Sequence, residues 1–212
     1  MTERLTAEQA AALLHPTDVL GIPLGPGHPG AFLHALGARR DWEDLVITGA
    51  LLTDFYEVFG QPGVRFLSGF YGPLERLMRD QGGAIEFVPA DFRRFGPALE
   101  RIGPRVVATA AAPPDADGWC SLSLHAGATI KELERAGADP DRVLVVEVSD
   151  RFPTTLGLGE HQPRLVEKDL PGRGQRDVAL VAVEQRGADL GFQIADLLAE
   201  RGLRRAQALG RA

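Results

Sequence analysis

The stretch Arg105-Val-Val-Ala-Thr-Ala-Ala-Ala112 decides the fold class, because it is a continuous apolar run without regular polar alternation. Such a run is typical of a strand covered on both faces, as in a parallel sheet. Further apolar runs occupy residues 18–24, 45–52, 64–67, 84–88, 143–148 and 178–183. Helical patterns cover residues 6–14, 72–79, 91–101, 125–136 and 189–201, and another follows residue 29. This alternation predicts an α/β domain with an open, largely parallel sheet flanked by helices on both faces.

Composition and charge narrow the class of protein. With 44% hydrophobic residues among 212, the chain has enough apolar material for a core, which excludes overall disorder. We expect a single domain over residues 1–212, ending in a basic tail at 203–212. A net charge of −6 argues against a nucleic-acid-binding domain, and the single cysteine excludes a disulfide framework. Because no apolar run approaches membrane-spanning length, we expect a soluble, cytoplasmic protein with no membrane partner.

A glycine loop follows the first of these apolar runs and is the first candidate site. It reads Gly25-Pro-Gly-His-Pro29, with Gly25, Gly27 and His28 as the candidate binding residues. Glycines allow the backbone to approach a ligand, and the helix that follows would offer unpaired N–H groups to an anion or oxyanion. The alternative is that the glycines only turn the chain from strand to helix.

A second candidate lies in Pro113-Pro-Asp-Ala-Asp-Gly-Trp-Cys-Ser121. Two prolines, two aspartates and a glycine within six residues predict a tight turn, leading into a short strand and then the helix from His125. Asp115 and Asp117 could ligate a metal, but the other ligands of an EF-hand loop are absent.

Nucleophilic chemistry is a further possibility for this segment. Cys120 or Ser121 could act with His125 or His161, although Cys120 fits a buried structural thiol better. Glu160 and His161 form the most plausible acid/base pair in the chain, with a solvated loop as the alternative. Pattern alone names no reaction.

These motifs, in this order, resemble the amino-terminal half of the acetyl-CoA hydrolase/transferase family, which includes 4-hydroxybutyrate and succinyl-CoA:acetate CoA-transferases. The resemblance covers roughly residues 3–198, and its most specific stretch is the proline-proline-aspartate turn running into Trp119-Cys-Ser-Leu122. Weaker matches lie at residues 5–29, 68–95 and 145–157.

The resemblance implies a CoA-transferase-like domain that binds coenzyme A as substrate or product, without a metal. In such enzymes two α/β domains face each other, and a glutamate of the second domain attacks the acyl-CoA thioester. No glutamate here aligns with that nucleophile, and Glu147 lies in a strand motif of the other domain. We therefore expect no catalytic residue in this chain. The expected substrate-binding residues are Gly25, Gly27, His28, Pro113, Pro114, Asp115, Gly118 and Ser121.

The expected function is that of a subunit of a CoA-transferase or acyl-CoA hydrolase for short acyl-CoA thioesters. A glutamate-bearing second subunit, an acyl-CoA and a small carboxylate would be its partners. The alternative is a non-catalytic module that binds CoA or acyl-CoA, or serves interaction alone. A third possibility is a sugar-phosphate isomerase-like activity on the related fold, which needs an acid/base pair with phosphate ligands that the sequence pattern does not locate.

Overall fold

A computed structural model describes residues 2–116, 118–123, 129–155 and 179–184 of the chain. The strands are β1 (Thr2–Leu5), β2 (Val19–Leu24), β3 (Leu45–Ala50), β4 (Val64–Ser68), β5 (Ala84–Phe87), β6 (Val106–Ala111), β7 (Val143–Val148) and β8 (Ala179–Glu184). The α-helices are α1 (Ala7–Ala11), α2 (Gly30–Ala38), α3 (Pro73–Asp80), α4 (Phe92–Ile102) and α5 (Ile130–Ala138). Two short 3₁₀ turns cover Gly25–Gly27 and Glu57–Gly60.

The strands form one eight-stranded sheet in the order β1-β8-β7-β6-β2-β3-β4-β5. Every pairing between the described strands is parallel. The predicted α/β fold with an open, largely parallel sheet is confirmed. Among the described residues, no helix combines the length and the apolar character needed to cross a membrane.

Strand β6 shows why its sequence lacks polar alternation. Val106 and Ala108 belong to the core cluster that contains Phe32 of α2, whereas Val107 belongs to a second cluster that contains Leu133 of α5. Successive side chains of a strand point to opposite faces, so both faces of β6 are covered by helices. The helices lie on both sides of the sheet, as expected.

The amino terminus contains one element that the sequence pattern does not reveal. A capping box opens the helix predicted over residues 6–14, since Gln9 N donates to Thr6 Oγ1 at 3.2 Å and Thr6 N donates to Gln9 Oε1 at 2.8 Å. The helix it opens ends at Ala11 rather than at residue 14. Ahead of it, β1 pairs with β8 at the sheet edge, where backbone hydrogen bonds suffice and no apolar run is needed.

The segment between β6 and α5 differs in part from the prediction. The tight turn is present, because Gly118 N donates to Asp115 O at 3.0 Å. A regular strand does not form over residues 119–123, since Ser121 makes a single backbone contact with the chain leaving β6. Helix α5 begins at Ile130, and residues 125–128 of the predicted helix lie outside the described residues, as do 189–201 and the tail at 203–212.

The strand order reverses direction between β2 and β6. From β2 the chain adds β3, β4 and β5 toward one edge, and from β6 it adds β7 and β8 toward the other. Open α/β sheets bind ligands at the carboxyl ends of the strands at such a reversal. The topology therefore marks the loops after β2 and β6 before any side chain is considered.

Candidate functional site

The two candidate loops lie side by side at this reversal. Gly25-Pro-Gly-His-Pro29 follows β2, and residues 112–121 follow β6. The two strands pair directly, with Leu20 opposite Val106, and the Gly25–Gly27 turn contacts both of them. The structure thus brings together two motifs that the sequence places more than 80 residues apart.

The glycine loop is a tight, buried turn. Gly25 has φ +43°, which favours glycine, and its carbonyl accepts from His28 N at 3.0 Å and from Thr53 Oγ1 at 3.4 Å. Gly27 is buried and His28 is only 6% exposed. The Tyr56 ring meets the imidazole of His28 edge-on, with 6.2 Å between centroids.

The amino terminus of α2 already binds an acidic side chain of this chain. Glu147 of β7 accepts from Ala31 N at 3.2 Å through Oε1 and from Phe32 N at 3.0 Å through Oε2. The expectation that this helix offers unpaired N–H groups to a ligand is therefore wrong for Ala31 and Phe32. The remaining candidate donors in this region belong to the glycine loop itself.

Glu147 is buried, with 2% of its surface exposed. Burial raises the pKa of its carboxyl to about 7, although the amides of Phe32 and Ala31 and the nearby His34 act in the opposite direction. Burial likewise raises the pKa of the Tyr56 phenol, and the negative charges of Asp54 and Glu147 add to that shift. The glycine loop therefore adjoins a small buried region in which charge is costly.

The second loop presents its tip to solvent. Asp115 holds the turn, since its backbone N–H donates to Trp119 O at 2.9 Å and its Oδ1 accepts from Trp119 N at 2.8 Å. Gly118 supplies the left-handed conformation at φ +82°. Pro113 is half-buried and Pro114 is exposed, so the loop offers both apolar surface and backbone to a ligand. In the part of the chain that the structure describes, no three His, Cys, Asp or Glu side chains are grouped to hold a metal.

Ser121 ties the second loop to the chain that leaves β7. Its Oγ lies 2.8 Å from Thr155 Oγ1 and accepts from Thr155 N at 3.1 Å. Its carbonyl accepts from Ala112 N at 2.8 Å, which closes the base of the loop. The buried hydroxyl of Ser121 therefore connects the second loop to the segment that follows β7.

Cys120 is a buried free thiol, as the sequence indicated. It packs with Val107, Ala111 and Leu133 in the second core cluster. Burial raises the pKa of the thiol to about 12, with a smaller contribution from the charge of Asp115. The other candidates for acid/base chemistry, His125, Glu160 and His161, lie outside the described residues.

Sequence reasoning missed a second buried carboxylate at this edge of the sheet. Glu75 of α3 is fully buried and accepts from Leu52 N at 2.8 Å, Gly72 N at 3.0 Å and Ser68 Oγ at 3.3 Å. It thereby joins the chain segments that leave β3 and β4. Its position three residues after Gly72, at the start of a helix, is the one signal that could have found it.

Comparisons with known proteins relate the chain to CoA transferases. The chain is 30% identical over 153 residues to a succinyl-CoA:cyclohexane-1-carboxylate CoA transferase from Geobacter metallireducens, a match that spans 70% of this chain and 34% of that protein. The chain therefore spans about a third of the length of that curated relative. No protein-family model matches.

Solved structures show the same fold. RipA from Yersinia pestis superposes with a TM-score of 0.65 at 20% identity, covering 89% of this chain and 45% of that one. A 4-hydroxybutyrate CoA-transferase from Porphyromonas gingivalis superposes with a TM-score of 0.53 at 18% identity, covering 88% and 41%. Sequence and fold together support a CoA-transferase domain.

Proposed function

We propose that this CoA-transferase domain forms one half of an active site for short acyl-CoA thioesters. The complete site works as a CoA-transferase or an acyl-CoA hydrolase of the acetyl-CoA hydrolase/transferase type. A partner chain supplies the catalytic glutamate. The observation that carries the proposal is the convergence of Gly25–Pro29 and Pro113–Ser121 at the reversal of strand order. Both loops lie in stretches that carry the family resemblance, and the second belongs to its most specific stretch.

Each loop has a distinct role in this proposal. The backbone amides of Gly25 and Gly27, next to His28, face the thioester and stabilise the oxyanion that forms when its carbonyl is attacked. The turn from Pro113 to Ser121 forms a wall of the acyl pocket. Both loops are held by hydrogen bonds within the chain, so the site is organised before the substrate binds.

Glu147 does not serve as the nucleophile. Both of its carboxylate oxygens accept backbone hydrogen bonds from α2, and the residue is almost completely buried. A nucleophilic carboxylate needs an accessible oxygen for the acyl group. This supports a glutamate that comes from a partner.

The reaction follows from carboxylate chemistry. The partner's glutamate attacks the thioester carbonyl, which releases CoA thiolate and leaves a mixed anhydride. The thiolate then attacks the glutamyl carbonyl, which gives a glutamyl-CoA thioester and frees the first carboxylate. In a transferase, an acceptor carboxylate attacks the glutamyl-CoA thioester, and the same steps in reverse give the new acyl-CoA. In a hydrolase, water attacks in place of the acceptor carboxylate.

Exposed aromatic side chains support a protein partner at the same edge of the sheet. Phe70 follows β4, Phe87 ends β5 and Phe92 begins α4, and the last of these is 74% exposed. The ring of Tyr71 is tilted against that of Phe87, with 5.6 Å between ring centroids. Exposed apolar patches of this kind mark interaction surfaces. We assign this one to the glutamate-bearing chain.

The test is acyl-CoA exchange with and without that partner. Transfer of CoA from acetyl-CoA to propionate is measured for the chain alone, for a candidate glutamate-bearing chain alone and for the mixture. We expect exchange only in the mixture, and its loss when the partner's glutamate is changed to glutamine. Exchange by the isolated chain would contradict the divided site. Binding of CoA in calorimetry without exchange in any mixture would instead favour a non-catalytic binding module.

A further inference from the structure

We propose that Glu147 is a positioning residue, which acts as an internal anion that holds the Gly25–Pro29 loop in its binding shape. This inference rests on the proposed function of that loop. The sequence places Glu147 in a strand far from the loop, and the structure brings its carboxylate to the helix that the loop enters. The observations that carry it are the hydrogen bonds to Ala31 and Phe32 and the path by which the side chain reaches them.

The path depends on small side chains in β6. Strand β6 lies between β7 and β2, and Ala110 is directly opposite Glu147 in the parallel register. Ala108, on the same face, is also small and fully buried. A larger residue at position 110 would fill the space that the glutamate side chain crosses on its way to α2. The alanines of β6 therefore leave room for this contact.

Only a few residues separate the hydrogen bonds of Glu147 from the Gly25–Pro29 loop. Pro29 is the N-cap of α2, and Leu33 N donates to Pro29 O at 3.0 Å. His28 N donates to Gly25 O at 3.0 Å, which closes the preceding turn. Fixing the amides of Ala31 and Phe32 therefore fixes the end of the loop within three residues of His28. A negative charge at this position also interacts favourably with the helix dipole.

A purely structural role does not explain a carboxylate here. Buried charges are often replaced by apolar residues without loss of stability, so a buried carboxylate is weak evidence for stabilisation alone. The carboxylate of Glu147, however, accepts hydrogen bonds from two specific backbone donors beside the candidate site, the amides of Ala31 and Phe32. A role in placing the loop explains why a carboxylate is buried here despite its energetic cost, and why it lies at the amino terminus of α2.

Protonation of the carboxyl should loosen this contact, because a carboxylate accepts stronger hydrogen bonds than a carboxylic acid. Burial places the pKa of Glu147 near 7, within the ordinary working range of proteins. The other titratable groups around it are His34 of α2, His28 of the loop, and Tyr56 and Asp54 beyond β3. The experiment therefore includes a variant that removes the imidazole of His34.

The primary experiment measures amide exchange and ¹⁵N chemical shifts in the free chain, without any ligand. Wild type is compared with Glu147→Gln and Glu147→Asp, and Glu132→Gln is the matched control. Glu132 is equally buried but pairs with Arg135 and Arg142 at the opposite face of the sheet. In Glu147→Gln we expect the amides of the non-proline residues between 25 and 33 to exchange about tenfold faster or more. In the control, protection of these amides should fall only in proportion to global stability.

Titration provides a second readout in the same sample. The amides of Ala31 and Phe32 should shift with a midpoint near pH 7 in wild type and in His34→Gln. They should lose this transition in Glu147→Gln. An unchanged transition in Glu147→Gln, or unchanged protection of residues 25–33, would overturn the positioning role whatever the enzyme does.

Activity then links the role to the proposed function. In the assembled complex, Glu147→Gln should raise KM for acetyl-CoA about tenfold, a cost typical of one lost charged hydrogen bond, with partial recovery in Glu147→Asp. Altered amide exchange together with unchanged KM would show that Glu147 positions a loop that does not bind the substrate. That result would contradict the proposed site and leave the internal anion in place.

Discussion

Arg105 binds the carboxylate of Asp18 with two side-chain hydrogen bonds, from Nε at 2.8 Å and from Nη2. Asp18 immediately precedes β2 and Arg105 immediately precedes β6, so the pair joins the two strands at their amino ends. Asp18 also accepts from His15 N at 2.9 Å. The ion pair therefore connects β2 and β6 at their amino ends. The candidate site lies at the carboxyl ends of the same two strands.

We expect Asp18→Asn to destabilise the fold by about 2 kcal/mol or more, because it removes the charge from a buried, multiply bonded carboxylate. Burial alone would raise the pKa of Asp18, but the hydrogen bonds from Arg105 and His15 lower it overall. The stabilisation is therefore present above the unfolded-state pKa and is lost as the pH falls through the folded-state pKa. Urea denaturation of wild type and variant measures the difference.

The matched control is Asp44→Asn. Asp44 pairs with Arg65 at 3.1 Å, but both side chains are substantially exposed, and such pairs contribute less than about 1 kcal/mol. Equal losses in the two variants would contradict the role given to the Asp18–Arg105 pair.

Comparing Gly25→Ala with Gly103→Ala should distinguish a role of Gly25 in ligand binding from the general cost of backbone strain. Gly25 has φ +43° and Gly103 has φ +63°, and an added Cβ at either position meets only ordinary contacts or open space. Both substitutions should therefore cost about 1–2 kcal/mol of stability for the left-handed conformation. We expect only Gly25→Ala to weaken acetyl-CoA binding, by several-fold in calorimetry or in KM of the assembled complex. A matching decrease in Gly103→Ala would show that the effect is global.

The sheet could be predicted from sequence because its central strands are covered on both faces. Val106 and Val107 point into different core clusters, so the run remains apolar without alternation and can be recognised locally. Strand β1 could not be found in this way. It lies at an edge, and its parallel pairing with β8 depends on a segment more than 170 residues later in the chain.

The candidate loops could also be found locally, since glycine and proline follow the ends of apolar runs. Their proximity could not, because it depends on the strand order that places β2 beside β6. No sequence pattern indicates that Glu147 binds Ala31, a contact between residues 116 positions apart. A single glutamate in an apolar strand has many possible partners, and the one it contacts depends on the strand register, which places it opposite Ala110.

Ser121→Ala should weaken acyl-CoA binding more than an equivalent serine-to-alanine change elsewhere at the carboxyl ends of the strands. The variant loses the hydroxyl that accepts from Thr155 N and Ser123 N, so the second loop should detach from the chain leaving β7. Ser68→Ala is the control, because Ser68 is also buried and donates to Phe70 O at 2.8 Å after β4. We expect both variants to lose about 1–2 kcal/mol of stability by urea denaturation. Only Ser121→Ala should also weaken acyl-CoA binding, and unchanged binding would remove the second loop from the proposed site.

Cys120 should be unreactive in the folded chain. The thiolate is the reactive form, and burial raises the pKa of this thiol to about 12, so little thiolate exists at neutral pH. Iodoacetamide should label the protein only after denaturation, at a rate that follows unfolding, and Cys120→Ala should retain exchange activity in the assembled complex. Rapid labelling of the native chain would reopen a nucleophilic role for this residue.

Glu147 should give the protein an unusual dependence of stability on pH. Its pKa lies near 7 in the folded chain and near the ordinary 4.5 in the unfolded chain, so the folded state binds more protons between these values. The free energy of unfolding therefore decreases as the pH rises from about 4.5 to 7, by a total on the order of 3 kcal/mol from this group. Glu147→Gln cannot titrate at this position, so its free energy of unfolding should change less over this range than that of wild type. Urea denaturation from pH 5 to 8 tests this, and parallel curves for the two proteins would show that the carboxyl titrates at its ordinary value.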